Sequence, residues 1–170
     1  MLWGMNPPEQ LIVIPDGPAG VDWTLDCMRA YIRLYQKFGP IRRKAAQLAA
    51  MAPQRDFVGQ VNEIFTWLQN NIKYVGDTLG VETLQTPAET LAIGGGDCDD
   101  QATLLGAMLQ SIDFPTKSVA CGFEPDLYEH VFLQVYVRQR QRWYNLDPTE
   151  PFPMDWKPPG IVCTKTRNNS

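Results

Sequence analysis

The sequence holds one histidine, and its four cysteines, at positions 27, 98, 121 and 163, include no Cys-x-x-Cys pair. The usual zinc and iron–sulfur ligand sets are therefore missing, and no metal or other cofactor is expected. A disulfide framework is not expected in a cytosolic chain of 170 residues. Cys27, Cys121 and Cys163 read as small buried hydrophobes or free thiols. No Lys or Arg precedes Arg29. The apolar run Leu11 to Ile14 is too short for the core of a secretion signal. Nor does any stretch approach the ~18 apolar residues that a membrane span requires. These absences lead us to expect cytoplasmic synthesis without a signal peptide, and no membrane span. An excess of positive charge is missing too, since the net charge is −4. An acidic chain gains little from a phosphate backbone, so nucleic acid is not an expected partner. Arg42-Arg43-Lys44 reads as a solvated helix face, and Arg138, Arg140 and Arg142 as a hairpin tip.

What is present is ordinary globular composition, with 44% hydrophobic and 20% charged residues. That suits one domain with a real core. Residues 1–21, with Pro7, Pro8, Pro15, Pro18 and Gly20, read as an N-terminal arm carrying at most a short strand at Leu11–Ile14. Apolar residues then recur at helical spacing in three segments: Val21 to Phe38, Ile41 to about Met51, and Phe57 to Asn71. Thr86-Pro87-Ala88-Glu89 is a helix-start signal, with a capping Thr, Pro at the first helical position and Glu three residues after the cap. That short helix ends in Gly94-Gly95-Gly96, and Asp97 opens another from Cys98 to about Ile112. After Pro115 the period becomes alternating, giving strands at Lys117–Gly122, His130–Arg138 and Trp143–Leu146. Helices followed by an antiparallel sheet make an α+β domain over residues 22–150. Residues 151–170 carry Pro151, Pro153, Pro158 and Pro159 and read as an extended C-terminal tail.

Chemistry concentrates at three positions. A thiolate is the nucleophilic form of cysteine, and a helix N-terminus favours negative charge. Cys98 falls at such a terminus, behind three glycines that let backbone or substrate approach closely. Asp97, Asp99 and Asp100 oppose it by surrounding the sulfur with like charge. A working nucleophile therefore needs an imidazole, and His130 is the one available. Pairing the last two strands about Arg140 sets partners at positions summing to about 280, which brings His130 within a few residues of Asp147. Asp147 would then orient the ring and support its charge. A metal site of Asp97, Asp99, Asp100 and Asp147 is the weaker alternative, because the spacing lacks the twelve-residue ligand pattern of an EF-hand loop.

Gly96-Asp97-Cys98-Asp99-Asp100-Gln101-Ala102, a histidine opening a strand, and Trp143-Tyr144-Asn145-Leu146-Asp147-Pro148-Thr149 resemble the transglutaminase-like superfamily, whose core is that of papain-type enzymes. Trp67-Leu68-x-x-Asn71-Ile72-x-Tyr74 adds to the likeness, which spans about Phe57 to Thr149. The resemblance implies Cys98 as nucleophile, His130 as base and Asp147 as orienting acid. The Cys98 N–H is the natural oxyanion donor, and Gln85 is a candidate for the second. The implied activity is that of a cysteine peptidase or amidase acting on a peptide or isopeptide through a thioacyl intermediate. Protein-glutamine acyl transfer to an amine uses the same triad. A non-catalytic structural or assembly role is the reading from a different class. The compact form and the Asp-Cys-Asp-Asp sequence are similar to stand-alone members encoded by tailed bacteriophages. That likeness implies a virion or tail-associated component touching other virion proteins through its two arms.

Overall fold

The computed structural model describes residues 18–76 and 83–170. Three helices come first: α1 (Pro18–Tyr35), α2 (Gly39–Ala49) and α3 (Phe57–Asn71). Pro40 starts α2 without needing a backbone N–H. Asp56 caps α3 by accepting from the Gly59 N–H at 3.0 Å. A two-residue strand β1 (Lys73–Tyr74) follows, then α4 (Pro87–Ile93), β2 (Gly95–Gly96) and the central helix α5 (Cys98–Ser111). Four longer strands follow: β3 (Thr116–Gly122), β4 (His130–Val137), β5 (Arg142–Leu146) and β6 (Cys163–Asn168). These four pair antiparallel in the order β5-β4-β3-β6, while β1 and β2 form a separate parallel pair.

The α+β layout, the five helices and strands β3, β4 and β5 match the reading from the sequence, which held neither β1 nor β2. Helix α1 begins three residues earlier than expected, inside the segment assigned to the arm, and the expected strand at Leu11–Ile14 lies outside the described residues. The tail differs most. Its end is extended as expected, but as a strand of the sheet, so the sheet draws on residues beyond the 22–150 span. Strand β6 sits at an edge, which its upstream prolines allow.

Helix α5 is the spine of the core. Leu104, Leu105, Ala107, Met108 and Leu109 are buried with Ile41 and Leu48 of α2, Val61, Ile64, Phe65 and Leu68 of α3, and Leu133, Val135, Val137 and Leu146 of the sheet. Full burial of such a side chain contributes about 1.5–3 kcal/mol. On the other flank, Leu25 and Met28 of α1 pack with Ala102 and Ala120. Helix α1 also grips the C-terminus. Asp22 and Asp26 face Lys165 and Arg167 of β6, and Arg33 donates to the Asn169 and Ser170 carbonyls. Buried Asn169 donates to Thr116 Oγ1 and Ser118 Oγ on β3.

Candidate active site

Two elements converge on the site: the first turn of α5 and the strand ends where β4 begins and β5 finishes. Cys98 is the first residue of α5. Asp97 caps the helix and accepts from the Asp100 N–H at 3.2 Å, while Asp100 Oδ2 accepts from the Asp97 N–H at 3.2 Å. The second oxygen of Asp100 accepts from the Gln85 N–H at 2.6 Å. A buried carboxylate thus ties the segment carrying Gln85 to the turn carrying the cysteine. Gly96 makes room for it, since a Cβ there would lie 2.7 Å from Asp100 Cβ. Gln101, one turn into the helix, holds the Gly96 carbonyl through Nε2 at 2.9 Å, and the Val75 N–H reaches the same carbonyl at 3.1 Å.

On the opposite wall, His130 is the first residue of β4. The ladder runs from Val137↔Arg142 to Leu133↔Leu146, within a residue of the sequence-based register. Continued one step, it sets Asp147 level with Phe132, so His130 and Asp147 are diagonal neighbours on one face. Their side chains meet: His130 Nε2 lies 2.6 Å from Asp147 Oδ2, and the Asp147 side chain is 1% exposed. Asp147 Oδ1 accepts from the Thr149 N–H at 3.2 Å and from Thr149 Oγ1 at 2.8 Å.

The Cys98 thiol lies close enough to the backbone of Val131, the residue after His130, and to Asp147 for both to act on its ionisation. Burial first, then Asp99 and Asp97, push the thiol well above its ordinary range, against the pull of the Val131 backbone. Burial and a hydrogen bond with Asp97 likewise push the Asp99 carboxyl well up. Burial and like charge both favour the protonated form of this thiol over the thiolate. Cys121 lies directly across from His130 on β3, and burial, with Asp147 and Cys163 adding, raises it to about 11.

The carboxylate oxygens of Asp97, Asp99 and Asp100 lie within 4.8 Å of one another. Asp147 is not in that group, which separates the four-carboxylate alternative drawn from the sequence. Backbone N–H groups of the same turn engage the three: the Asp100 N–H serves both Asp97 and Asp99. Gln85 reaches the turn through its backbone, and its buried Oε1 has no hydrogen-bond partner among the described residues. The reading from the sequence assigned no role to Thr149, although Asp-x-Thr is a spacing at which a threonine N–H and hydroxyl fold back onto a carboxylate. Nor did it separate Asp100, the tether, from Asp99.

Residues 43–148 match the family model of the transglutaminase-like superfamily. The chain belongs to that superfamily. No curated protein matches it. Among solved structures it is similar to a candidate cysteine protease from Cytophaga hutchinsonii, at 18% identity and a TM-score of 0.57, over 77% of this chain and 43% of that one. A candidate protease from Parabacteroides distasonis matches at 15% identity and 0.56, over 76% of this chain and 27% of that one. Rad4–Rad23 crosslinked to an undamaged DNA matches at 12% and 0.58, over 87% and 44%. This chain spans less than half the length of each, and the likeness is one of fold. Among the described residues of this superfamily member, no helix is long and apolar enough to cross a membrane.

Proposed function

We propose that this transglutaminase-like domain is a cysteine-dependent amide hydrolase, with Cys98 as nucleophile, His130 as general base and Asp147 as the orienting acid. The observation that carries the reading is the 2.6 Å contact between His130 Nε2 and buried Asp147, with Cys98 at the N-terminus of α5 near enough to Asp147 to feel its charge. With Nε2 given to Asp147, Nδ1 is the nitrogen that takes the thiol proton. The sulfur attacks the amide carbonyl, the C–N bond breaks, and the imidazolium returns the proton to the leaving amine. Water then cleaves the thioester and releases the acid. The Cys98 N–H and the Gln85 side chain are the oxyanion donors in this scheme. A peptide or isopeptide is the acyl donor.

Treating the folded protein with iodoacetamide tests this. Cys98 labels far faster than Cys27, Cys121 and Cys163, and His130→Ala removes the difference. Equal labelling of the four, or none at Cys98, sinks the reading. Supplying a lysine analogue with a glutamine peptide separates the routes, since cross-linked product marks acyl transfer and free acid marks hydrolysis.

One observation favours a second reading, a structural or assembly domain. Burial, Asp99 and Asp97 all hold the Cys98 thiol protonated. A folded protein whose Cys98 stays unlabelled, and whose Cys98→Ala variant keeps its biological activity, would establish that role instead.

A further inference from the structure

We propose that Thr149 is a positioning residue of the site, holding the Asp147 carboxylate so that its other oxygen meets His130; this rests on the triad reading above. The Asp147 side chain is 1% exposed, so its oxygens must find donors in the protein. Oδ2 takes the His130 nitrogen. Oδ1 takes two donors from one residue, the Thr149 N–H at 3.2 Å and the Thr149 hydroxyl at 2.8 Å. Two donors on one oxygen, opposed by an imidazole on the other, fix the plane of the carboxylate.

Asp147 stands one residue past the end of β5, beyond the last paired residue, Leu146. Pro148 follows and has no N–H to offer, so Thr149 is the first residue downstream whose backbone can donate. The hydroxyl is the part a substitution can remove. Without it the carboxylate keeps the weaker backbone bond and is free to turn about its terminal torsion. The imidazole then loses the partner that fixes which nitrogen carries the proton. The role is positional, because Thr149 acts on the sulfur through Asp147 and His130.

The chain has a single histidine, so its imidazole N–H gives an unambiguous resonance in 15N-edited NMR. The wild type shows a hydrogen-bonded Nε2–H signal protected from solvent exchange. Thr149→Val keeps the side-chain shape, loses that signal to exchange, and slows Cys98 alkylation by iodoacetamide ~10-fold. Thr149→Ser keeps the hydroxyl and restores both, while the melting temperatures of the three proteins stay alike. A Thr149→Val protein with the protected signal and the wild-type alkylation rate overturns the proposal. If the valine variant does not fold, Thr149→Ala removes the same hydroxyl without added bulk and is read the same way. A wild-type Cys98 that resists alkylation, in a protein whose Nε2–H signal depends on the Thr149 hydroxyl, removes the catalytic reading and leaves the positioning of Asp147 intact.

Discussion

His130 Nε2 and Asp147 Oδ2 are 2.6 Å apart across the β4–β5 ladder, and the aspartate side chain is buried. Two side chains seventeen residues apart in sequence meet because the hairpin register makes them diagonal neighbours on one face. In the proposed scheme the pairing gives a path from carboxylate to imidazole to the Cys98 thiol.

Asp147→Asn tests that path directly. An amide fits the same space but can present its NH2 group to His130, which inverts the proton on the ring. Alkylation of Cys98, or hydrolysis of a peptide substrate once one is found, falls by about 10²–10⁴-fold. Circular dichroism remains that of the wild type. A variant that keeps the wild-type rate would separate Asp147 from the chemistry.

The hairpin was legible in the sequence because its strands alternate and its polar turn is short, so the register came out within one residue. That register set His130 near Asp147, and the capping pattern set Cys98 at a helix start; joining the cysteine to the pair took the family resemblance. Strand β6 was not legible. Cys163 to Asn168 alternates Thr164, Thr166 and Asn168 with Lys165 and Arg167, polar on both faces, and the apolar signal of a strand is absent. Its partners for the basic residues, Asp22 and Asp26, lie more than a hundred residues earlier. The tie from Asp100 to Gln85 was hidden for a similar reason: three neighbouring aspartates look alike until the fold assigns each its donors.

Asp99→Asn probes the acidic flank. Asp99 and Asp97 raise the Cys98 thiol behind the larger effect of burial. Removing one charge brings the thiol down, so the pH at which alkylation accelerates moves lower. Asp99 itself has a folded-state value raised above the unfolded one, chiefly by burial. Its folded form holds a proton that the unfolded form has lost, so its contribution is present below the unfolded carboxylate range and declines as pH rises through the folded value. The asparagine variant should therefore gain melting temperature over wild type at neutral pH and little in acid. Parallel melting curves across pH would refute the raised carboxyl.

Gly96→Ala tests the tether. The new Cβ would meet Asp100 Cβ at 2.7 Å and Oδ2 at 2.9 Å, and Cβ is fixed to the helix backbone. Either α5 shifts or Asp100 leaves the Asp97 and Gln85 N–H groups. Overpacking of this kind costs about 1–3 kcal/mol in urea unfolding. Labelling of Cys98 slows as well, because the turn before it is displaced. Wild-type stability would show that the turn relaxes freely and that the glycine has another cause.

Deleting residues 163–170 compares the ladder with the ion pairs around it. The deletion strips β3 of its hydrogen-bonded neighbour from Lys117 to Gly122 and leaves Thr116 and Ser118 without the Asn169 amide. Buried donors and acceptors left open cost about 1–3 kcal/mol each. Several open together, so the truncated domain should melt far below the full chain or fail to fold. The double variant Asp22→Asn, Asp26→Asn removes only the carboxylates that face Lys165 and Arg167, groups that are about half exposed. Exposed pairs contribute little and are screened by salt, so its melting temperature should fall by a few degrees at most and the difference should vanish in ~1 M salt. The contrast decides what holds the tail. If the double variant melts as low as the truncation, the charges anchor the C-terminus. If it stays near wild type while the truncation collapses, the ladder and buried Asn169 do so, and the proline-rich segment before β6 is the connection that returns the chain to its own sheet.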